Sequence, residues 1–302
     1  MRPVARPATC STPGAIRPNG AVSHATSTPN GPVPPQSLYL TRTGLYQLAR
    51  DLSDLDGQLL RFVHDSRFAT GAQLIRVFWQ TSEREANAAR AGRRALKRLS
   101  DRRVLDPLPR RIGGRRTGSD GIVYRTGRAG VRLLATRDIH GPRTDIPGAL
   151  HLDHTLATTE LVVRLREADR AGELELIQAQ QEPSCWRSYI AVGMVRRRLK
   201  PDLFVRIGAG RNEDRYMIEV DRSSESGRTI ARKMSAYLEH YRSGAEQRDH
   251  GTYPRVLWIV PDQQRAEQVL GVLNRRPAEA KRLLSVCCWD EAISFMAREA
   301  RS

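Results

Sequence analysis

The sequence predicts an α+β protein in two parts: an amino-terminal winged helix-turn-helix domain, then an α/β domain. Three observations lead there. Residues 39–135 read as helix, helix, helix, hairpin, helix. From residue 151 onward, helices alternate with short apolar strands, the mark of an α/β arrangement. Between the two stretches stand Gly141, Pro142, Pro147 and Gly148, a turn-rich linker. A length of 302 residues suits two domains. The expected division is a tail over 1–37, a first domain over 38–137, a linker over 138–150 and a second domain over 151–302.

Residues 1–37 are dominated by Pro, Thr, Ser, Gly, Ala and Asn, and nothing apolar recurs at a helical or strand period. Such a stretch buries too little surface to offset its ordering entropy, so a disordered tail is expected. Leu59, Leu60, Phe62 and Val63 then mark one helix, and Ala72, Leu74, Ile75, Val77, Phe78 and Trp79 a second, with Gly71 placed at a tight turn between them. The third helix opens on Ser82 and Glu85, an S-x-x-E capping box. It carries Ala89, Gly92, Ala95, Leu96 and Leu99 on one side and Asn87, Arg90, Arg94, Lys97 and Arg98 on the other. Val104–Leu108 and Ile122–Tyr124 are short strands around a Gly-rich basic tip containing Arg115 and Arg116. That hairpin is read as the wing.

In the second part the expected order begins with a helix near 152–169 and strands near 173–180, 202–207 and 215–220. A helix near 228–243, a strand at 255–260, a further helix, a strand over 283–288 and a terminal helix complete it.

Composition excludes several classes. No run approaches the roughly 18 apolar residues a membrane span needs, and no apolar stretch follows Arg2 and Arg6 as a secretory signal would require. Cys10, Cys185, Cys287 and Cys288 form no CxxC pair and lack zinc-ligand spacing, so they read as reduced, packed thiols of a cytoplasmic protein.

The formal net charge is +17, and residues 84–132 hold fifteen basic and four acidic side chains, eleven of those net charges. The excess falls on the third helix and the hairpin tip, the two surfaces a winged helix offers to a groove and its phosphates. Arginine pairs bidentately with phosphate or guanine, and Asn87 has the donor and acceptor that adenine needs. Double-stranded DNA is therefore the expected partner, with Asn87, Arg90, Arg94, Lys97, Arg98, Arg115 and Arg116 as its contacts.

A second constellation lies in the α/β part. Pro201-Asp202 opens a strand, Glu219-Val220-Asp221-Arg222 closes the next, and Lys233 sits on the following helix. Hydrolysis assisted by a divalent metal needs carboxylates converging from neighbouring strand ends, plus a cation near the reacting phosphate. The expected metal ligands for Mg²⁺ are Asp202, Glu219 and Asp221; the expected catalytic set is Asp202, Glu219 and Lys233, with Glu160 as a fourth carboxylate. His151 and His154, three apart at a helix start, could cap that helix or contact DNA, and polar capping is the preferred reading.

The sequence resembles the replication-relaxation family of actinobacterial plasmids and mobile elements. The resemblance runs from about Leu52 to Tyr241 through Arg67-Phe68-Ala69-Thr70, Gln73-Leu74, Tyr124-Arg125, Gly127, Ala129-Gly130 and His154-Thr155-Leu156, then Pro201-Asp202, Glu219-Val220-Asp221-Arg222, Glu225, Lys233 and Tyr237. The second half also looks like a PD-(D/E)xK restriction-endonuclease domain, with one departure: the lysine expected two residues after Glu219 is Asp221, leaving Lys233 on the next helix to take its role. The resemblance implies a part in replication, relaxation or mobilisation of plasmid or mobile-element DNA, alongside other replication or conjugation proteins, in the nucleoid or on the plasmid. Three readings follow: a Mg²⁺-dependent nicking protein, a non-enzymatic replication or transfer factor, and a transcriptional regulator.

Overall fold

The computed structural model describes residues 41–79, 85–108, 121–136, 148–209 and 212–299. The tail, most of the 138–150 linker, the capping residue Ser82 and the hairpin tip with Arg115 and Arg116 lie outside the described residues.

The first part contains α1 (Arg42–Asp51), α2 (Asp54–Ser66), β1 (Ala69–Thr70), α3 (Gly71–Phe78), α4 (Glu85–Asp101), β2 (Leu105–Pro107), β3 (Val123–Thr126) and α5 (Arg128–Ala135). Helix starts are fixed by reciprocal caps, Ser53 with Asp56 on α2 and Thr70 with Gln73 on α3. β2 and β3 pair antiparallel, as the hairpin reading expects, and β1 pairs with the other edge of β3. The turn between α2 and α3 departs from expectation. It is made at Arg67, whose φ is 63°, while Gly71 is the first residue of α3. Thr70 must be extended both to pair with β3 and to cap α3, so the chain has to reverse before it.

Two glycines set how closely this part packs. A Cβ on Gly92 would lie 2.8 Å from Ile75 Cγ1, so α4 approaches α3 at a distance that only glycine permits. A Cβ on Gly130 of α5 would lie 2.3 Å from the Val104 carbonyl oxygen and 2.7 Å from Leu60 Cδ1. Backbone on one side and a core leucine on the other leave no room to yield. Gly130→Ala is therefore expected to destabilise the fold by about 2 kcal/mol through overpacking, read as a lower urea midpoint.

The second part begins with α6 (Ala149–Arg170) and β4 (Glu175–Gln181), then a hairpin of β5 (Arg187–Ala191) and β6 (Val195–Leu199). β7 (Leu203–Ala209), β8 (Asn212–Val220), α7 (Gly227–Ser243), α8 (Ala245–His250) and β9 (Arg255–Val260) follow. The chain ends with α9 (Gln263–Leu273), α10 (Ala278–Leu283), β10 (Leu284–Cys288) and α11 (Ala292–Glu299). The main sheet has the order β10-β9-β8-β7-β4; β4, β7 and β8 pair antiparallel, while β8, β9 and β10 run parallel. Parallel neighbours need a crossover, which α7 supplies between β8 and β9.

Alternation along β8 decides what each side chain meets. Ile218 and Val220 join Leu161, Leu165 and Met296 in one core cluster, and Met217 joins Met234, Tyr237, Trp258 and Val269 in the other. Glu219, two residues after Met217, falls on the α7 side by the same period. α6 is shared: it lies in the core against the sheet and also packs on α3, so one apolar cluster runs without a break from α1 to α11.

Candidate functional site

Two surfaces carry chemistry. On α4, Gly92, Leu96 and Leu99 are buried, and Asn87, Arg90, Arg94, Lys97 and Arg98 are all exposed on the opposite side. Two of the expected contacts already have acidic partners. Arg98 donates from Nη2 to both carboxylate oxygens of Asp56, at 2.6 and 2.8 Å, which ties α4 to the cap of α2. Lys97 pairs with Asp101 one turn on at 2.7 Å, an exposed contact of little energetic weight.

The second surface gathers at the ends of β7 and β8. Asp202 is buried directly before β7, its Oδ2 accepting from the Val220 amide at 2.8 Å and its Oδ1 lying 3.1 Å from His154 Nε2 on α6. Glu219 is 2% exposed; its Oε1 accepts from the Tyr237 hydroxyl at 2.6 Å and its Oε2 from Lys233 Nζ at 2.7 Å. Lys233 also reaches Glu225 Oε1 at 2.7 Å. Asp202, Glu219 and Lys233 thus form one electrostatic group, with His154 at its α6 side.

Burial, and then the negative charge of Asp202, push the Glu219 carboxyl up to about 8 against the pull of Lys233 and Tyr237. Burial works against the Lys233 ammonium, yet Glu219, Asp202 and Glu225 outweigh it and hold it above the ordinary lysine range. The hydrogen bond to Asp202 raises His154 in spite of its burial. Glu182, just past β4, is raised by burial and by the charge of Asp202, and it lines a small polar recess with His154, Asp202 and Arg67. Sequence reasoning gave Glu182 no role and read His154 as a cap. The histidine's spacing on α6 was visible, but its partner 48 residues away was not.

Two residues expected in this group are engaged elsewhere. Asp221 is buried one residue past β8, where Oδ2 accepts from Arg265 Nε and Nη2 at 3.0 and 2.8 Å and Oδ1 from the Ser223 amide at 2.6 Å. Glu160 takes Arg76 and Gln73 of α3, and Arg76 also holds Glu167. Glu160 therefore joins α6 to the first part of the chain, because α6 turns that face towards α3 and not towards Asp202.

A divalent ion is a poor match for this arrangement. Both oxygens of Asp202 and both of Glu219 already accept protein donors, and Lys233 supplies the compensating charge. Among the described residues no three His, Cys, Asp or Glu side chains converge as a ligand set. Six oxygen ligands around Mg²⁺ would require Lys233 to leave Glu219 and His154 to leave Asp202.

The class defined by these features is a mixed α+β protein with a cationic helix and a lysine-neutralised carboxylate group. The chain belongs to the replication-relaxation family, whose model matches residues 60–256. That span includes α4, Asp202, Glu219 and Lys233. No curated protein and no solved structure matches the chain. Among the described residues no helix is long and apolar enough to cross a membrane.

Proposed function

We propose that the protein binds double-stranded DNA through a winged-helix module, with α4 in the groove, during replication, relaxation or mobilisation of plasmid or mobile-element DNA. The observation that carries this reading is the exposed Asn87, Arg90 and Arg94 face of α4, backed by a buried face that glycine brings against α3. Family membership supports the biological setting. Other replication or transfer proteins would act on the same DNA, and the protein would reside at the nucleoid or plasmid. The 138–150 segment would join this module to the α/β one.

Fluorescence anisotropy of labelled duplex DNA across a salt series tests the reading. Each phosphate neutralised contributes about 0.9 to the slope of log affinity against log salt, so Arg90→Ala with Arg94→Ala should lower the slope by about 1.8. Affinity should fall for all sequences together. An unchanged slope in a folded variant would remove α4 from the interface. Arg98 is left intact in this test, since its loss would uncover Asp56.

A second reading, cleavage of the DNA backbone in the α/β module, is favoured by one observation. Asp202 and Glu219 stand at adjoining strand ends and Lys233 on α7, within the order α6, β4, β7, β8, α7, β9, and this supports the PD-(D/E)xK restriction-endonuclease reading. In that reading Asp202 and Glu219 would be the residues to hold Mg²⁺, and both would have to exchange their present partners, His154 and Lys233, for the ion, which would supply charge at the reacting phosphate. Incubating supercoiled DNA with Mg²⁺ or with EDTA tests it. Nicking that needs Mg²⁺ and disappears in Glu219→Gln supports hydrolysis; intact DNA in both arms leaves the module a scaffold for the DNA-binding part.

A further inference from the structure

We infer that the β5–β6 hairpin is a second DNA-contacting arm, whose apolar tip inserts between base pairs while its arginines hold the flanking phosphates. The inference rests on the DNA-binding reading and adds to it a mode of engagement that α4 alone does not supply.

The hairpin stands apart from the main sheet, since β5 and β6 pair only with each other. Its inner side is anchored on α7: the Tyr189 hydroxyl and Arg197 both donate to Glu239, and the Tyr189 ring meets His240 edge-on at 4.8 Å between centroids. At its base, Arg187 pairs with Glu246, and Arg198 and Lys200 lie over the Trp186 ring. The arm is held firmly at its root.

Its tip contributes nothing to that anchorage. Val192 is 96% and Met194 84% exposed, with Ile190 and Val195 about half exposed beside them. Apolar side chains gathered at a projecting loop call for a partner. The backbone points the same way. Gly193 and Met194 both have positive φ, at 80° and 60°, and Met194 occupies a conformation that glycine or asparagine adopts with less strain. A loop shaped only to reverse the chain has no use for an exposed methionine there.

Charge selects the partner. Residues 183–200 contain five basic and no acidic side chains; Arg187 and Arg197 are paired with Glu246 and Glu239, which leaves the charge of Arg196, Arg198 and Lys200 to a partner. Ile190 pairs across the hairpin with Arg196, and Ser188 with Arg198, so the outer face presents arginines beside the apolar tip. An acidic polymer with stacked apolar faces between its charges matches both features. Duplex DNA has this chemistry: apolar wedges unstack one base step while cations neutralise the adjoining phosphates.

The test uses the full chain and duplexes carrying 2-aminopurine, whose fluorescence rises when it unstacks. Wild-type protein should raise that fluorescence. Val192→Ser with Met194→Ser should abolish the rise and keep the salt slope of binding, and Val192→Leu with Met194→Leu should retain the rise. Because the tip is exposed, none of these changes touches the core. Salt-dependent binding by the wild type with no fluorescence rise overturns the wedge and leaves the DNA reading standing. Absence of salt-dependent binding overturns both. Cosedimentation with phosphatidylserine vesicles that needs Val192 and Met194, without a rise on DNA, assigns the tip to a membrane surface and also overturns the wedge.

Discussion

Lys233→Met is expected to lower folding stability by about 3 kcal/mol at pH 9 and by about 1 kcal/mol at pH 6, because removing one partner of a buried pair strands the other. The stranded group is Glu219, whose carboxyl is already pushed up to about 8 with the lysine present. A carboxyl raised in the folded state contributes stability that is complete below its unfolded value of about 4.5 and is lost as pH rises through the folded value. Without Lys233 the folded value climbs further. At pH 6 Glu219 takes a proton and the loss stays small; at pH 9 it must ionise unpaired or the chain unfolds. Urea denaturation at both pH values reads the difference, and adding Glu219→Gln should cancel most of the pH dependence. An equal loss at both would mean that Lys233 is not the counter-charge. Because Lys233 already fills that role, Mg²⁺ should leave the wild-type Tm unchanged, whereas a resident ion at a hundred times its Kd would add about 2.7 kcal/mol.

Arg265→Met should cost about 3 to 4 kcal/mol across the neutral range, since it leaves Asp221 with no cation in a fully enclosed position. The two side chains are 10% and 0% exposed, and Arg265 also donates to the Glu225 carbonyl at 2.7 Å. One guanidinium therefore fixes both the end of β8 and the loop that delivers Glu225 to Lys233. Asp221→Asn keeps part of the hydrogen bonding and should cost less. Guanidinium denaturation of the single and double variants gives the coupling; independent losses that simply add would show that the pair is not acting as one unit.

The pattern of strands and helices was largely legible because burial imposes a period. β7, β9 and the Tyr216–Ile218 stretch of β8 are short apolar runs, and α7 carries Ile230, Met234, Tyr237 and Leu238 on one face. The β5–β6 hairpin was illegible for the converse reason: most of it contributes little to a core, and its apolar residues are interrupted by arginines. β1 is two residues long and owes its existence to β3, more than fifty residues away. At the site, Pro201-Asp202, Glu219 and Lys233 could be read from strand ends and helix phase. Asp221 could not, because its fate depends on Arg265, 44 residues further on. The contact of Glu160 with Arg76 was hidden for a similar reason: helical spacing tells which residues share a face, not which neighbour that face meets.

α6 spans 22 residues, about 33 Å at 1.5 Å per residue, without an interruption in its helical course. Glu160, clamped to Arg76 of α3, and His154, seated on Asp202, stand less than two turns apart on this one rod. A rod of that stiffness transmits translation and rotation with little internal slack. A displacement of α3, the helix on which α4 rests, would therefore reach the histidine at the carboxylate group through this helix. By the reciprocity of linked equilibria, a change of charge at His154 would in turn bias where α3 settles. Only five residues separate His154 from Glu160 on that helix, so the α3 contact and the carboxylate contact share one rigid support.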